Sequence, residues 1–355
     1  VSLLFEPLRL RDLSVTNRAW LAPMCQYSAG SDGVPGDWHL AHLGSFAVGG
    51  FGLLLTEATA VVPAGRISPQ DVGIWNDEQV AAWRRITAFV HEQGAAIGTQ
   101  LAHAGRKASV FRPWSTVQGS VPAAEGGWTT LGPTDVPFPG YAAPAAMTTE
   151  QVAAVPGQFA TAARRAHAAG FDVVELHAAH GYLLHQFLSP LTNTRTDAYG
   201  GTPANRARLL VETADAVRAV WPDGKPLLVR VSATDWAPGG LEPADVAVVV
   251  KELAAHGVDL VDVSTGGLVP AQVPVAAGYQ VPHARTIREA SGTAAAAVGL
   301  ITSAEQAEQV LRDGAADAIL LGRQALRDPH WPLRAARELG DAVAWPPQYQ
   351  RAAWR

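Results

Sequence analysis

Eight short apolar runs, each followed by a stretch with helical spacing, set the rhythm of this chain. They cover residues 19–23, 53–57, 96–101, 172–177, 226–232, 259–264, 294–298 and 317–321. Apolar residues fall at successive rather than alternate positions, the pattern of parallel strands covered by helices. Between the runs the period changes to that of a helix. In residues 77–93, Val80, Trp83, Ile86 and Val90 share one side. In residues 303–313, Ser303 with Gln306 forms a capping box and Gly314 a stop. Eight strand–helix units with no break in composition predict a single-domain (β/α)8 barrel spanning residues 1–355. An open doubly wound sheet is the alternative.

Three segments depart from the rhythm. Residues 9–18 (LRLRDLSVTN) read as a hairpin that plugs the barrel bottom. Residues 106–147 are rich in Pro, Gly and Trp and have little helical period; a loop this long is functional or disordered. Its aromatics, Phe111, Trp114, Trp128, Phe138 and Tyr141, favour an ordered capping lid. Pro156 interrupts the pattern at 151–169, where it starts the main helix or kinks it.

Composition narrows the picture. The chain has 355 residues, 48% of them hydrophobic, ample for one large core. A net charge of −5 with interspersed signs points to no nucleic-acid or membrane partner. One cysteine, Cys25, rules out an internal disulfide and a cysteine-ligated iron–sulfur cluster. The first residues, VSLLFEPLRLRDL, lack a signal-peptide pattern, and no run of apolar residues is long enough to span a bilayer. A cytoplasmic location is expected.

In such a barrel the chemistry sits at the C-terminal ends of the strands. There the chain places Pro23-Met24-Cys25-Gln26-Tyr27, Glu57-Ala58, Gln100, His177-Ala178-Ala179-His180-Gly181-Tyr182, Arg230, Gly299 and Gly322-Arg323. Gly299, with Gly322-Arg323 opening a short helix at 323–326, fits the phosphate site that recurs after strands seven and eight. Two turn glycines and a surface arginine are the plainer account. His177 and His180 leave one loop with Tyr182 beside them. Paired imidazoles suit a carbonyl or nitro oxygen on which negative charge develops, and a tyrosine suits proton delivery. Zinc would need a third ligand, and Glu175 points back into its strand, so no metal is expected.

These residues also carry a family resemblance. HAAHGYLLHQFLSPLTNTRTDAYGGTPANR (177–206) resembles the signature of the old yellow enzyme family of FMN-dependent ene-reductases. APMCQYSA (22–29), LTEATAV (55–61), QLAHAGRKA (100–108) and LLGRQALRDPHWP (320–332) are similar to its other blocks, in order. Cys25 and Tyr27 match the thermophilic-like, xenobiotic-reductase-like branch.

The resemblance implies non-covalent FMN across the barrel mouth, reduced by NADPH or NADH. Ala22, Pro23, Met24 and Cys25 would contact the flavin, and Ala58 and Gln100 its edge. Arg230 would lie near N1/O2, and Gly299, Gly322 and Arg323 at the phosphate. Cys25 would tune the flavin potential, where the plainer account is an inert buried thiol. Tyr27, which core packing would equally explain, would face the substrate, an α,β-unsaturated carbonyl or nitro compound. His177 and His180 would hold its oxygen, flavin N5 would deliver hydride, and Tyr182 (or water) would supply the proton. The branch further implies a homodimer or homotetramer in which the tail, residues 340–355, lies at the subunit interface. There Arg351, or Trp354 in its place, would reach a neighbouring active site; a frayed terminus is the simpler reading.

Three other activities fit less well. Amine or thioester dehydrogenases of the superfamily add a cysteine-bound cluster and further domains. A phosphate-substrate isomerase or aldolase needs a strand-end lysine, for which Lys107 is the candidate. A non-catalytic flavin binder leaves the crowded polar rim unexplained.

Overall fold

A computed structural model describes residues 1–354. Eight parallel strands close into a barrel: β1 (Ala19–Leu21), β2 (Leu53–Ala60), β3 (Ala96–Ala102), β4 (Val173–Ala178), β5 (Leu227–Ser232), β6 (Leu260–Ser264), β7 (Ala294–Ala297) and β8 (Ala318–Leu321). Each pairs with the next, and β8 pairs with β1, so the sheet has no edge. All eight apolar runs became strands, most within one residue of the expected ends. The exceptions are β1, which stops at Leu21, and β2, which runs on to Ala60.

A ring of helices covers the barrel and buries its outward-facing residues. The helix Asp77–Glu92 is capped by Asn76, whose side chain accepts from Gln79 N, and buries Val80, Trp83, Ile86 and Val90. The helix Ala304–Arg312 departs in detail from the expected capping box. Ser303 does accept from Gln306 N, but the Gln306 side chain accepts from Thr302 N, one residue earlier than a reciprocal box requires. Pro156 neither starts nor ends a helix: the helix runs Thr149–Ala168. A capping box between Thr148 and Gln151 sets its start, and the Pro156 ring is buried beside Val152, Val155 and Phe159. Burial on the core face offsets the one backbone hydrogen bond that proline forgoes.

Residues Leu8–Leu10 and Leu13–Val15 pair as an antiparallel hairpin. Leu10 and Val15 pack with Trp20, Leu53, Leu228 and Leu260 at the lower end of the barrel. Asp12 N donates to Gly224 O, and Arg11 pairs with Asp259 at 2.7 Å, just ahead of β5 and β6. The lower end is therefore closed.

The segment 106–147 holds a short 3-10 turn, Ala123–Glu125, and a two-stranded pairing of Leu131–Gly132 with Ala145–Ala146. Trp128 Nε1 donates to Ala64 O, and Trp114 stands edge-on to Tyr27 with ring centroids 5.8 Å apart. The segment thus lies over the loops after β1 and β2. No helix among the described residues is long and apolar enough to cross a membrane.

Candidate active site

Strand register sets the site. Ala58 pairs with Gln100 and Gln100 with Glu175, while His177 pairs with Arg230 and Arg230 with Asp262. Parallel pairing puts these residues at neighbouring levels around the barrel, so polar groups far apart in the chain converge at its upper end. A register shift in β2 between Leu55 and Ala58 re-aims Glu57. The Glu57 carboxylate accepts from Gln26 N at 2.8 Å and lies 3.3 Å from His39 Nε2. This buried contact fixes the backbone of the segment that carries Met24, Cys25 and Tyr27.

Inside the mouth, Gln100 Nε2 donates to Glu175 Oε1 at 2.7 Å, leaving its carbonyl oxygen and second N–H for a ligand. The Glu175 side chain is fully buried beneath the mouth, where Gln100 is its hydrogen-bond partner. Arg230 Nε lies 2.8 Å from Asp262 Oδ2, which leaves the terminal amino groups for a ligand. Burial pushes the carboxyl pKa values of both Glu175 and Asp262 up, the charge of Asp262 adds to the rise at Glu175, and Arg230 opposes both. One guanidinium serves two carboxyls, so the pair holds a proton well above the ordinary carboxylate range.

Beside Arg230 opens a cleft of about 180 Å³ whose lining includes Ser264, Gln280, Gly299, Gly322 and Arg323. Gly299 has φ +119°, and a Cβ there would meet Gln280 Nε2 at 2.8 Å. At Gly322 a Cβ would meet only Met24 Sδ, at 3.6 Å. The backbone N–H groups that open the helix Arg323–Arg327 have no partner within it, and they face an anion-sized recess lined by Arg230, Arg323 and Arg327. Glycine backbone, N–H donors and guanidinium together fit the phosphate end of FMN, with Gln100 and Arg230 at its ring end. Arg327, Ser264 and Gln280 belong to this cleft and carried no sequence signal.

The segment after β4 presents the two histidines. His177 Nδ1 accepts from Ala179 N at 3.3 Å, so its proton sits on Nε2. The His177 ring lies 5.3 Å from that of His180 and 4.9 Å from that of Tyr182, centroid to centroid. Burial, then the charge of Arg230, drives the pKa values of both histidines well below the usual range, so both are neutral hydrogen-bond donors. The Tyr182 hydroxyl is pushed the other way by burial and by the Cys25, Tyr27 and Asp71 groups, which keeps its proton in place.

His180 and Gly181 have φ of +56° and +75°. Several contacts hold that conformation. His180 N donates to Ser232 Oγ at 3.0 Å, and Gly181 N donates to His185 Nδ1 at 3.0 Å. Lys107 Nζ donates to His180 O and to Gly267 O, both at 2.8 Å, and stands 4.8 Å over the Phe138 ring. Lys107 therefore ties the lid to two site loops. Burial and Arg106 pull its pKa down to about 8, but both carbonyls face its ammonium, which does not suit a Schiff-base nucleophile. His185 and Asp235, missed in the sequence, support the same segment from below.

Cys25 is half-buried, and burial followed by the charges of Asp71 and Glu57 pushes its thiol pKa up. It is thus held as a neutral thiol, which does not suit a nucleophile. Tyr27 hydrogen-bonds to it, and burial raises that hydroxyl as well. Arg351 is the candidate residue that the structure does not bring to the mouth. It lies exposed on the 3-10 turn Pro347–Ala352, whose Tyr349 packs on His330. Trp354, also exposed, packs on Trp345; Arg355, the last residue of the tail, lies outside the described residues. Among the described residues no cluster of three or more His, Cys, Asp or Glu is arranged to hold a metal ion.

A closed barrel with an anion cleft at its upper end and a buried histidine pair beside it fits a flavin oxidoreductase. Residues 3–342 match the model of the NADH:flavin oxidoreductase / NADH oxidase family, and the chain belongs to that family, the old yellow enzymes. It is 48% identical over 356 aligned residues to an NADPH dehydrogenase of Geobacillus thermodenitrificans, covering 100% of this chain and 99% of that one. Morphinone reductase shares the fold with a TM-score of 0.81 and 29% identity, covering 98% of this chain and 92% of that one. An old yellow enzyme homologue from Zymomonas mobilis does so at 0.80 and 27%, covering 99% of each. The protein is an FMN-dependent NAD(P)H oxidoreductase.

Proposed function

We propose that the protein is an ene-reductase, which uses NADPH or NADH to reduce the activated C=C bond of α,β-unsaturated carbonyl or nitro compounds. The observation that carries this reading is the neutral His177–His180 pair standing beside Tyr182 over the mouth. FMN, when held by Gln100, Arg230 and the cleft of Gly299, Gly322 and Arg323, would supply the hydride-transfer chemistry between nicotinamide and alkene. The chain's own residues do the rest. His177 Nε2–H and the His180 ring donate to the substrate oxygen, where negative charge grows as hydride arrives at Cβ, so the contact strengthens on the way to the transition state. Neutral donors suit this task, since neither gives up its proton. Tyr182, protonated and beside His177, supplies the proton to Cα. Tyr27, edge-on to Trp114, forms the substrate-side wall. Donor and substrate use the same mouth in turn, a ping-pong cycle.

The Geobacillus relative's name supports NADPH as donor. The exposed tail with Arg351 and Trp354 supports a homodimer or homotetramer in which the tail completes a neighbour's site. The single cysteine suits the reducing cytoplasm.

The test is spectroscopic. Purified enzyme should be yellow, bleach anaerobically with NADPH and regain its colour on 2-cyclohexenone. With His177 and His180 both changed to Ala, the colour remains while enone turnover and phenol binding are lost. Unchanged turnover in that variant would overturn the assignment.

A further inference from the structure

We propose that Ser264 sets the tautomer of His180. Its hydroxyl donates to Nε2, which leaves Nδ1–H as the donor towards the substrate oxygen. The inference rests on the oxygen-binding role of the histidine pair.

A neutral imidazole has one N–H and one acceptor nitrogen, so whichever neighbour takes the N–H removes it from catalysis. His180 Nε2 and Ser264 Oγ are 2.7 Å apart. Ser264, at the end of β6, has a single hydroxyl proton and two possible recipients. One is His180 Nε2; the other is Gln280 Oε1, at 3.3 Å. Gln280 Oε1 already accepts from Thr265 Oγ1 at 2.7 Å, and its amide is anchored through Nε2 to Val298 O at 3.1 Å. Gln280 Oε1 could accept from both hydroxyls, so the choice falls to the mouth: with its proton on Nε2 the ring would turn the Nδ1 lone pair on the substrate oxygen, and the oxygen-binding role therefore puts the proton on Nδ1 and the Ser264 hydroxyl on Nε2.

The ring has little freedom to escape this arrangement. Its backbone is held at both ends, with N on Ser232 Oγ, whose own proton goes to Gly266 O, and with the carbonyl on Lys107. The two histidines then work with opposite tautomers. His177 donates through Nε2, because Ala179 N–H occupies its Nδ1, and His180 donates through Nδ1, because Ser264 occupies its Nε2. Ser264 is a positioning residue that lines the cleft on one side and touches His180 on the other.

Neutron diffraction from deuterium-exchanged crystals of the FMN-loaded enzyme, with no substrate, reads the tautomer directly. Deuterium on His180 Nδ1, with the Ser264 deuterium aimed at Nε2, is expected; deuterium on Nε2 overturns the proposal. Phenol titration of the flavin absorbance gives the second reading. Ser264→Ala should weaken phenol binding about three- to tenfold, the worth of one net hydrogen bond, and Ser264→Thr should restore it. Equal affinity in Ser264→Ala and the native enzyme, or equal loss in both variants, overturns it. A variant that fails to load FMN leaves the neutron result decisive. Phenol binding that survives His177→Ala and His180→Ala would sink the clamp reading without touching the tautomer measurement.

Discussion

His185 Nε2 lies 2.9 Å from Asp235 Oδ1, and neither side chain reaches solvent. Asp235 also accepts from Ser189 Oγ at 2.7 Å and Leu241 N at 2.8 Å, while the far nitrogen of His185 accepts from Gly181 N. The pair links the loop after β5 to the one glycine between His180 and Tyr182. Burial pushes the Asp235 carboxyl pKa up, but the His185 contact and the two further donors more than reverse this, so Asp235 stays ionised.

His185→Leu takes one of three partners from the buried Asp235 carboxylate and leaves the Gly181 N–H without its acceptor. Unfolding stability in urea should fall by about 2–3 kcal/mol, the worth of a hydrogen bond to a charged group plus an unmet buried N–H. His185→Asn, which can accept and donate in the same directions, should recover much of that and should bind phenol more tightly than the Leu variant. A Leu variant as stable as native would contradict the role.

Lys107→Met removes the donor shared by His180 O and Gly267 O but keeps the apolar stem against Phe138. Flavin content should stay near native, because Lys107 is not part of the phosphate cleft. The turnover number for 2-cyclohexenone should drop by about tenfold or more as the clamp loosens. Loss of FMN instead would place the lysine's role elsewhere.

Gly299→Ala puts a side chain at φ +119° and 2.8 Å from Gln280 Nε2. Strain of about 1–3 kcal/mol falls directly on the phosphate end. The variant should lose FMN on gel filtration and regain activity with added FMN. Native-like retention would show that the phosphate lies elsewhere.

The carboxyl pair beneath the mouth predicts a pH dependence in the apoprotein. Glu175 keeps its proton when folded at pH values where the unfolded chain, titrating near 4.5, has lost it. The native state then binds more protons, so stability falls as pH rises above about 4.5 and stops falling only once the folded carboxyl has titrated. Glu175→Gln, which keeps a partner for Gln100 without the charge, should flatten that decline in chemical denaturation measured across pH. An identical slope in the variant would assign it to other groups.

Much of this architecture could be read before any coordinates. Two-sided apolar runs announce barrel strands because each is packed on both faces, and the order of the runs gives the strand order. Candidates at strand ends were legible for the same reason: the fold sends those positions to one rim. The hidden residues act through contacts that cross the barrel. Ser264 lies 84 residues from His180, and Asp235 lies 50 residues from His185, by their numbers in the chain. Only strand register brings them together. Pro156 misled because a proline's local preference is weighed against burial, and here a buried ring within a well-capped helix prevails. The Ser303–Gln306 spacing predicted one true cap, yet the glutamine side chain overshot by a residue, which spacing alone does not resolve.

The hairpin at the lower end gives the barrel a floor and only one working end. On the proposed ene-reductase reading, a nicotinamide and an alkene would need the same flavin face and would queue at one doorway. An excess of either should hold the door against the other, so turnover should pass through an optimum, rather than a plateau, as either concentration rises.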